Sequence, residues 1–411
     1  MIRRILALLL AGAPLAGQGS SGVNAPAMRD RPHVVLISFD GMKPEYLDRI
    51  ELPNFQRVMR RGVRSVGMIP TFPSKTFPNH YSIVTGWYAG RHGLVGNSFW
   101  DPARNAGYRM ADTGAVRDSS WYRGEPIWST AEKQGMVAGS FFWPGSEAAI
   151  AGARPTFVKR YDGRVRNFAR VDTVLSWLRL PEANRPHMIT MYFSTTDGAG
   201  HEHGPLSAQV DTAAWAVDSA LGRLLDGIDQ LPIRHRVFLV LVSDHGMSEQ
   251  SPRWFVGLDT LIDTTGVVAL DGGPNVNLHV RGGVDRARAL RDSINRRMRH
   301  GRAHLRDEIP ARLHYSADPR VGDIVVIMDE HFTIGRSNRP PREGTATHGW
   351  DPSLPSMHAI FVASGPGIPA GKTIPSFENV DVYPWLTELL GLRAARDIDG
   401  RPGRLAALIA R

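Results

Sequence analysis

Val34-Val35-Leu36-Ile37-Ser38-Phe39 is a nearly unbroken apolar run that stops at Asp40-Gly41. A run this short, closed by a turn signal, suits a strand buried on both faces of a parallel sheet. The stretches 137–142, 188–193, 237–242 and 359–362 are runs of the same kind. Between them apolar residues recur three or four apart. Val210, Ala213, Val217, Leu221, Leu224 and Ile228 do so, and the pattern returns from Val380 to Leu390. That spacing gives a helix one apolar face. Strands alternating with helices predict an α/β fold, a mostly parallel central sheet with helices on both faces. Residues 265–335 read differently. Strand-like runs at 276–280 and 324–328 accompany an Arg-rich helical stretch near 284–300, the pattern of a small α+β insertion.

Composition narrows the class. The 411 residues are 42% hydrophobic and 22% charged, which excludes disorder, collagen and coiled coil. There is no cysteine, so disulfide scaffolds, thiol catalysis and iron–sulfur clusters are excluded. Any metal site must be built from His, Asp and Glu. The formal net charge is +9, but the arginines are scattered and form no basic stripe, so no stable nucleic-acid partner is expected. At the N-terminus, Arg3 and Arg4 precede the apolar run 5–10 and then small residues through Gly19. This is the pattern of a secretory signal. Residues 1–19 are expected to be removed, 20–31 to be a flexible lead-in, and 32–411 to be the exported catalytic domain, periplasmic or secreted. No apolar segment is long enough for a transmembrane helix in the mature chain.

The residues able to do chemistry cluster where strands end. Asp40 follows the first strand, Asp197 follows the 188–193 run by four residues, and Asp244-His245 closes the 237–242 run. His201 lies four residues after Asp197, and His348 precedes the last apolar run. Ligands of open α/β sheets sit beyond the carboxyl ends of the strands. Three carboxylates and three imidazoles there are a donor set for a borderline cation such as Zn²⁺. Six ligands divide naturally into two sets of three, and paired metals can clamp both oxygens of an in-line phosphoryl transfer. The Pro-punctuated segment Thr71-Phe72-Pro73-Ser74-Lys75-Thr76-Phe77-Pro78-Asn79-His80 supplies hydroxyls that a metal could activate. Composition does not choose between Ser74 and Thr76, nor exclude that both are caps. His80 reads as a packed histidine.

Four strings in particular resemble one family: Ile37-Ser38-Phe39-Asp40-Gly41, Lys75-Thr76-Phe77-Pro78-Asn79-His80-Tyr81, Ser243-Asp244-His245-Gly246-Met247 and His348-Gly349-Trp350-Asp351. They resemble the ectonucleotide pyrophosphatase/phosphodiesterase family of the alkaline phosphatase superfamily. Gly124-Glu125-Pro126-Ile127-Trp128 and Phe142-Trp143-Pro144-Gly145-Ser146 continue the resemblance, which runs collinearly from about 32 to 392. It implies an alkaline phosphatase-like fold and two Zn²⁺ per chain. One zinc would take Asp40, Asp244 and His245, the other Asp197, His201 and His348. Thr76 would be the nucleophile that becomes covalently nucleotidylated. Asn97 would donate to a non-bridging phosphate oxygen, and Phe77, Tyr161 and Tyr192 would hold the nucleotide base. The implied activity is hydrolysis of nucleotide 5′-phosphodiester and pyrophosphate bonds in a small-molecule substrate, releasing nucleoside 5′-monophosphates. The alternative on the same scaffold is a phosphomonoesterase or a lipid or choline head-group phosphodiesterase; Lys75 alone does not decide between them. The Cys-rich flanking domains of larger animal members have no counterpart in a cysteine-free chain. His203 matches no role in the family and is expected behind a ligand or at the surface, His358 is expected behind a ligand or in the core, and Trp143 is expected to pack beneath the site.

Overall fold

The apolar runs of the sequence become neighbours in one sheet. In the computed structural model, which describes residues 22–410, β1 (His33–Phe39), β2 (Gly62–Ser65), β3 (Ala138–Phe141), β4 (Phe157–Lys159), β5 (Met188–Phe193), β6 (Val237–Val242), β7 (Phe361–Ser364) and β8 (Lys372–Ile374) form an eight-stranded sheet. Its order is β8-β2-β7-β6-β1-β5-β3-β4. β7 is antiparallel to both of its neighbours, and the other pairings are parallel. The 359–362 run, grouped with the parallel strands on sequence, is thus corrected in direction and start. Ala359 instead makes an isolated antiparallel bridge with Met68. An apolar run reports burial on both faces, which is the same whichever way the strand points.

β1 occupies the middle of the sheet and is buried along its whole length. Its side chains alternate between two cores, as the pleat requires. Val34 and Leu36 face one that includes Trp128, Tyr383 and Leu386. Val35, Ile37 and Phe39 face another that includes Val217, Leu221 and Leu224. The latter three come from the long helix Ala208–Asp229, whose apolar face is the one the sequence spacing marks out. Ser207 starts that helix, its Oγ accepting the Val210 N–H. The Val382–Leu390 helix covers the opposite face. With helices on both sides, the backbone of β1 is fixed, and so is the residue that follows it.

The stretch 265–335 contains a four-stranded sheet, in the order Val267–Leu270, Asn275–Val280, Ile324–Ile327, Arg302–Leu305, and the helix Gly283–Arg297. It has its own core around Leu278, Ile294 and Val326, and that core also takes in Trp350 and Met357 from the following chain. The lead-in is corrected where it is described. Asn24 is buried, its Nδ2 donates to the Glu182 and Arg185 carbonyls, and its Oδ1 accepts the Val137 N–H. The proposed signal segment 1–19 lies outside the described residues. No helix among the described residues is long and apolar enough to cross a membrane.

At the far end of the sheet from the site described below, His33 and His187 stack with ring centroids 4.2 Å apart. Both donate Nδ1–H to backbone carbonyls, and neither Nε2 has a partner. Burial, and then the neighbouring His187, push His33 from 6.5 down to about 3. The unfolded chain therefore binds the extra proton. The stability this group contributes is complete above pH 6.5 and is lost as pH falls towards about 3. Thermal melts of metal-free protein should show a shallower acid-side fall in Tm for His33→Gln than for wild type. Equal slopes would contradict this.

Candidate active site

β1, β5 and β6 lie side by side and parallel, so their carboxyl ends open on one edge. Asp40 leaves β1 there, and Asp244 and His245 leave β6. Asp197 sits in the short helix Thr195–His203 directly after β5, with His201 one turn later on the same face. His348 follows the strand Thr345–Thr347, which pairs antiparallel with Ser248–Gln250 just beyond His245. Thr76 is the first residue of the helix Thr76–Thr85. Elements far apart in sequence thus converge on one point.

The ligand atoms of Asp40, Asp244 and His245 lie within 4.8 Å of one another, as do those of Asp197, His245 and His348. His201 Nε2 is 3.3 Å, and His348 Nε2 3.8 Å, from Asp197 Oδ1. Thr76 Oγ1 is 3.3 Å from His245 Nε2. The structure therefore gathers the ligand candidates and the nucleophile candidate in one place. His245 stands between the two clusters, its ring stacked 3.4 Å from that of His348.

These side chains fit a cation. His201 Nδ1 lies 2.9 Å from the Ala346 carbonyl, His245 Nδ1 2.8 Å from that of Gly246, and His348 Nδ1 2.8 Å from that of Ser74. A carbonyl only accepts, so each Nδ1 carries a proton and Nε2 is the nitrogen turned to the centre, where its lone pair can serve a metal. The carboxylates are prepared in the same way. Tyr192 donates its hydroxyl to Asp40 Oδ2 at 2.6 Å, and the Gly41 N–H reaches Asp244 Oδ1 at 3.3 Å. Asp40 Oδ1, Asp244 Oδ2 and Asp197 Oδ1 are buried with no hydrogen-bond partner. Leaving buried carboxylate oxygens unpaired is costly unless something positive meets them.

Protonation follows the crowding. Burial, then the nearby Asp244 and Asp197, raise Asp40 well above the ordinary carboxylate range. Burial also opposes ionisation of Asp244, but the imidazoles of His245 and His80 beside it prevail and hold it well below that range. At Asp197, burial is outweighed by His201 and then His348, so its carboxyl is lowered. Burial, followed by His245, drives His348 well down, towards the neutral form a metal needs.

The surrounding residues divide into those near the centre and those outside it. Asn97 Oδ1 accepts the Phe77 N–H at 2.9 Å, so Asn97 stands beside the start of the Thr76 helix. Tyr161 is 54% exposed, with its ring 6.3 Å from that of Tyr192. Tyr192 lies deeper than Tyr161. It is only 7% exposed and its hydroxyl is bonded to Asp40, so it leaves little ring surface for a base and positions that carboxylate. The apolar run 188–193 gave no hint of this, because the contact arises only from the pairing that sets Ser38 opposite Tyr192. His80 is packed: its Nδ1 meets the Thr76 carbonyl, its Nε2 meets Ser38 Oγ, and Trp143 donates to the His80 carbonyl. His203 lies on the exposed side of its helix. Sequence reasoning missed Asp271, which meets Lys75 Nζ with its carboxylate at 2.9 Å and its backbone carbonyl at 2.7 Å. Nothing local links positions so far apart in the chain.

Residues 34–351 match the model of the type I phosphodiesterase/nucleotide pyrophosphatase family. The chain is 34% identical over 394 residues to ectonucleotide pyrophosphatase/phosphodiesterase family member 1 of Homo sapiens, covering 93% of this chain and 42% of that protein. It is 34% identical over 398 residues to the venom phosphodiesterase of Naja atra, covering 95% and 48%. The chain thus spans less than half the length of these relatives. Murine ectonucleotide pyrophosphatase/phosphodiesterase 5 superposes with a TM-score of 0.86 at 29% identity, covering 92% of this chain and 100% of that one. An inactive threonine-to-alanine form of that protein, in complex with AMP, matches equally well.

Removing the Tyr192 hydroxyl deprives Asp40 of its donor without touching a ligand atom. Partners of this kind are worth about 10–100-fold in metal affinity. Tyr192→Phe should therefore bind a divalent metal ion that much more weakly in competition with a chelator. Unchanged affinity would contradict the assignment.

Proposed function

The chain belongs to the type I phosphodiesterase/nucleotide pyrophosphatase family, and from that premise we propose that it is an exported hydrolase of nucleotide 5′-phosphodiester and pyrophosphate bonds, using two zinc ions and a covalent intermediate on Thr76. The observation that carries this reading is Thr76 Oγ1 at the start of its helix, beside His245 Nε2 and the unpaired oxygens of Asp40, Asp197 and Asp244. Asp40, Asp244 and His245 would hold one ion, and Asp197, His201 and His348 the other. When bound, the ions would supply the Lewis acidity that a threonine hydroxyl lacks at neutral pH and would offset charge on the phosphate.

The chain's own residues account for the rest. Thr76 Oγ gives up its proton to solvent and attacks phosphorus in line, so that an Oγ–P bond forms as the bond to the leaving alcohol or phosphate breaks and the leaving oxygen takes a proton from solvent. Water then attacks the same phosphorus from the vacated side, loses one proton to solvent as its O–P bond forms, and the Oγ–P bond breaks so that Thr76 regains a proton from solvent. Two inversions give retention of configuration. The Thr76 helix presents the positive end of its dipole to the phosphate. Asn97 Nδ2, left available because Oδ1 is bonded to Phe77, donates to a non-bridging oxygen. Phe77 and the exposed Tyr161 supply aromatic surface for the base. The AMP bound by the inactive threonine-to-alanine murine relative supports both the nucleotide and the threonine. The leader-like start of the sequence and the venom and ecto-enzyme relatives support export.

Lys75 bears on the monoesterase alternative. A monoester carries one more anionic oxygen, but the Lys75 ammonium is already bound to Asp271. That favours the diester. Zinc-loaded protein should therefore show higher kcat/KM on a nitrophenyl ester of a nucleoside 5′-monophosphate than on nitrophenyl phosphate. Preference for the monoester would move the protein to the phosphatase reading. Thr76→Ala should keep its zinc and lose turnover by about 10³-fold or more. Near wild-type turnover would remove Thr76 from the mechanism.

A further inference from the structure

We infer that Asp271, carried by the inserted subdomain, is a positioning residue for catalysis at Thr76; the inference rests on the phosphodiesterase reading of the site. Asp271 stands in the turn between the strands Val267–Leu270 and Asn275–Val280, with left-handed φ of 62°. Its Oδ2 accepts the backbone N–H of Asn97 at 3.0 Å and faces Lys75 Nζ at 2.9 Å. Its backbone carbonyl accepts the same ammonium at 2.7 Å. One residue thus ties together two segments from elsewhere in the chain, Lys75-Thr76-Phe77 and Gly96-Asn97.

The tie has a direction. The Phe77 N–H is bonded to Asn97 Oδ1, and an N–H is answered only by the oxygen of a carboxamide, so the amide is turned with Nδ2 free for a phosphate oxygen. Asp271 fixes the backbone of Asn97, Phe77 fixes its side chain, and Lys75 and Phe77 flank Thr76. Loss of the Asp271 carboxylate would let the donor and the nucleophile move relative to each other. The contact is built in. The Lys75 and Asp271 side chains are 6% and 17% exposed, where solvent ions screen little. Two glycines leave room for it. A Cβ at Gly96 would stand 2.6 Å from Asp271 Oδ2, and one at Gly349 would stand 2.9 Å from Lys75 Cε.

The test is steady-state kinetics of the zinc-loaded full chain on a nitrophenyl ester of a nucleoside 5′-monophosphate. Asp271→Ala should lower kcat about 10- to 100-fold through misplacement alone, with zinc content and KM little changed. Asp271→Asn, which keeps an oxygen for the Asn97 N–H, should recover most of the loss. Asp271→Ala/Asn97→Ala should be no slower than Asn97→Ala alone, because the two residues act as one unit. Wild-type kcat in Asp271→Ala, or losses that multiply in the double variant, would overturn the inference. If the alanine variant fails to melt cooperatively, Asp271→Glu supplies the comparison: displacing the carboxylate should lower kcat, and wild-type kcat would again overturn the inference. Wild-type protein that does not turn over the ester would overturn the phosphodiesterase reading itself. Normal wild-type turnover with an unimpaired Asp271→Ala would overturn this inference alone.

Discussion

Three carboxylates held against one another, out of water, are the constraint around which the molecule is arranged. Asp40 and Asp244 place ligand oxygens within 4.8 Å. Two full charges at that distance repel by about 3–4 kcal/mol at an effective dielectric of 20. Asp197 adds to the crowding and raises Asp40 further. Burial and this crowding raise the Asp40 carboxyl, while the neighbouring imidazoles lower those of Asp244 and Asp197. Such a cluster persists only if its backbone cannot spread. β1, β5 and β6, buried on both faces, provide that rigidity.

The 265–335 stretch shares in this constraint. Its core contains Trp350, two residues beyond His348, and its first hairpin reaches Lys75 and Asn97 through Asp271. Ser74 adds a further link, donating Oγ to the Trp350 carbonyl while its own carbonyl holds His348 Nδ1. The 71–80 segment, His348 and the 265–335 stretch are thus joined by bonds that bypass the central sheet.

Much of this was legible in the sequence, for a physical reason. A strand buried on both faces must be apolar throughout, so β1, β5 and β6 announce themselves, and a polar residue straight after such a run falls at the sheet edge where ligands bind. Asp40, Asp244 and His245 are found this way, and the spacing of four between Asp197 and His201 is that of one helix face. What stayed hidden depends on contacts between distant segments. The direction of β7, the Tyr192 bond to Asp40, the docking of Asn24 and the reach of Asp271 to Lys75 leave no local pattern, because the residues involved are ordinary members of strands and turns until the chain folds.

The most direct test of the account is a calorimetric titration of metal-free protein with zinc. The account requires two ions per chain, with protons released on binding because carboxyls and imidazoles must be deprotonated at the atoms that hold a metal. A single ion, or two ions still bound after Asp40 and Asp197 are both replaced by alanine, would contradict it.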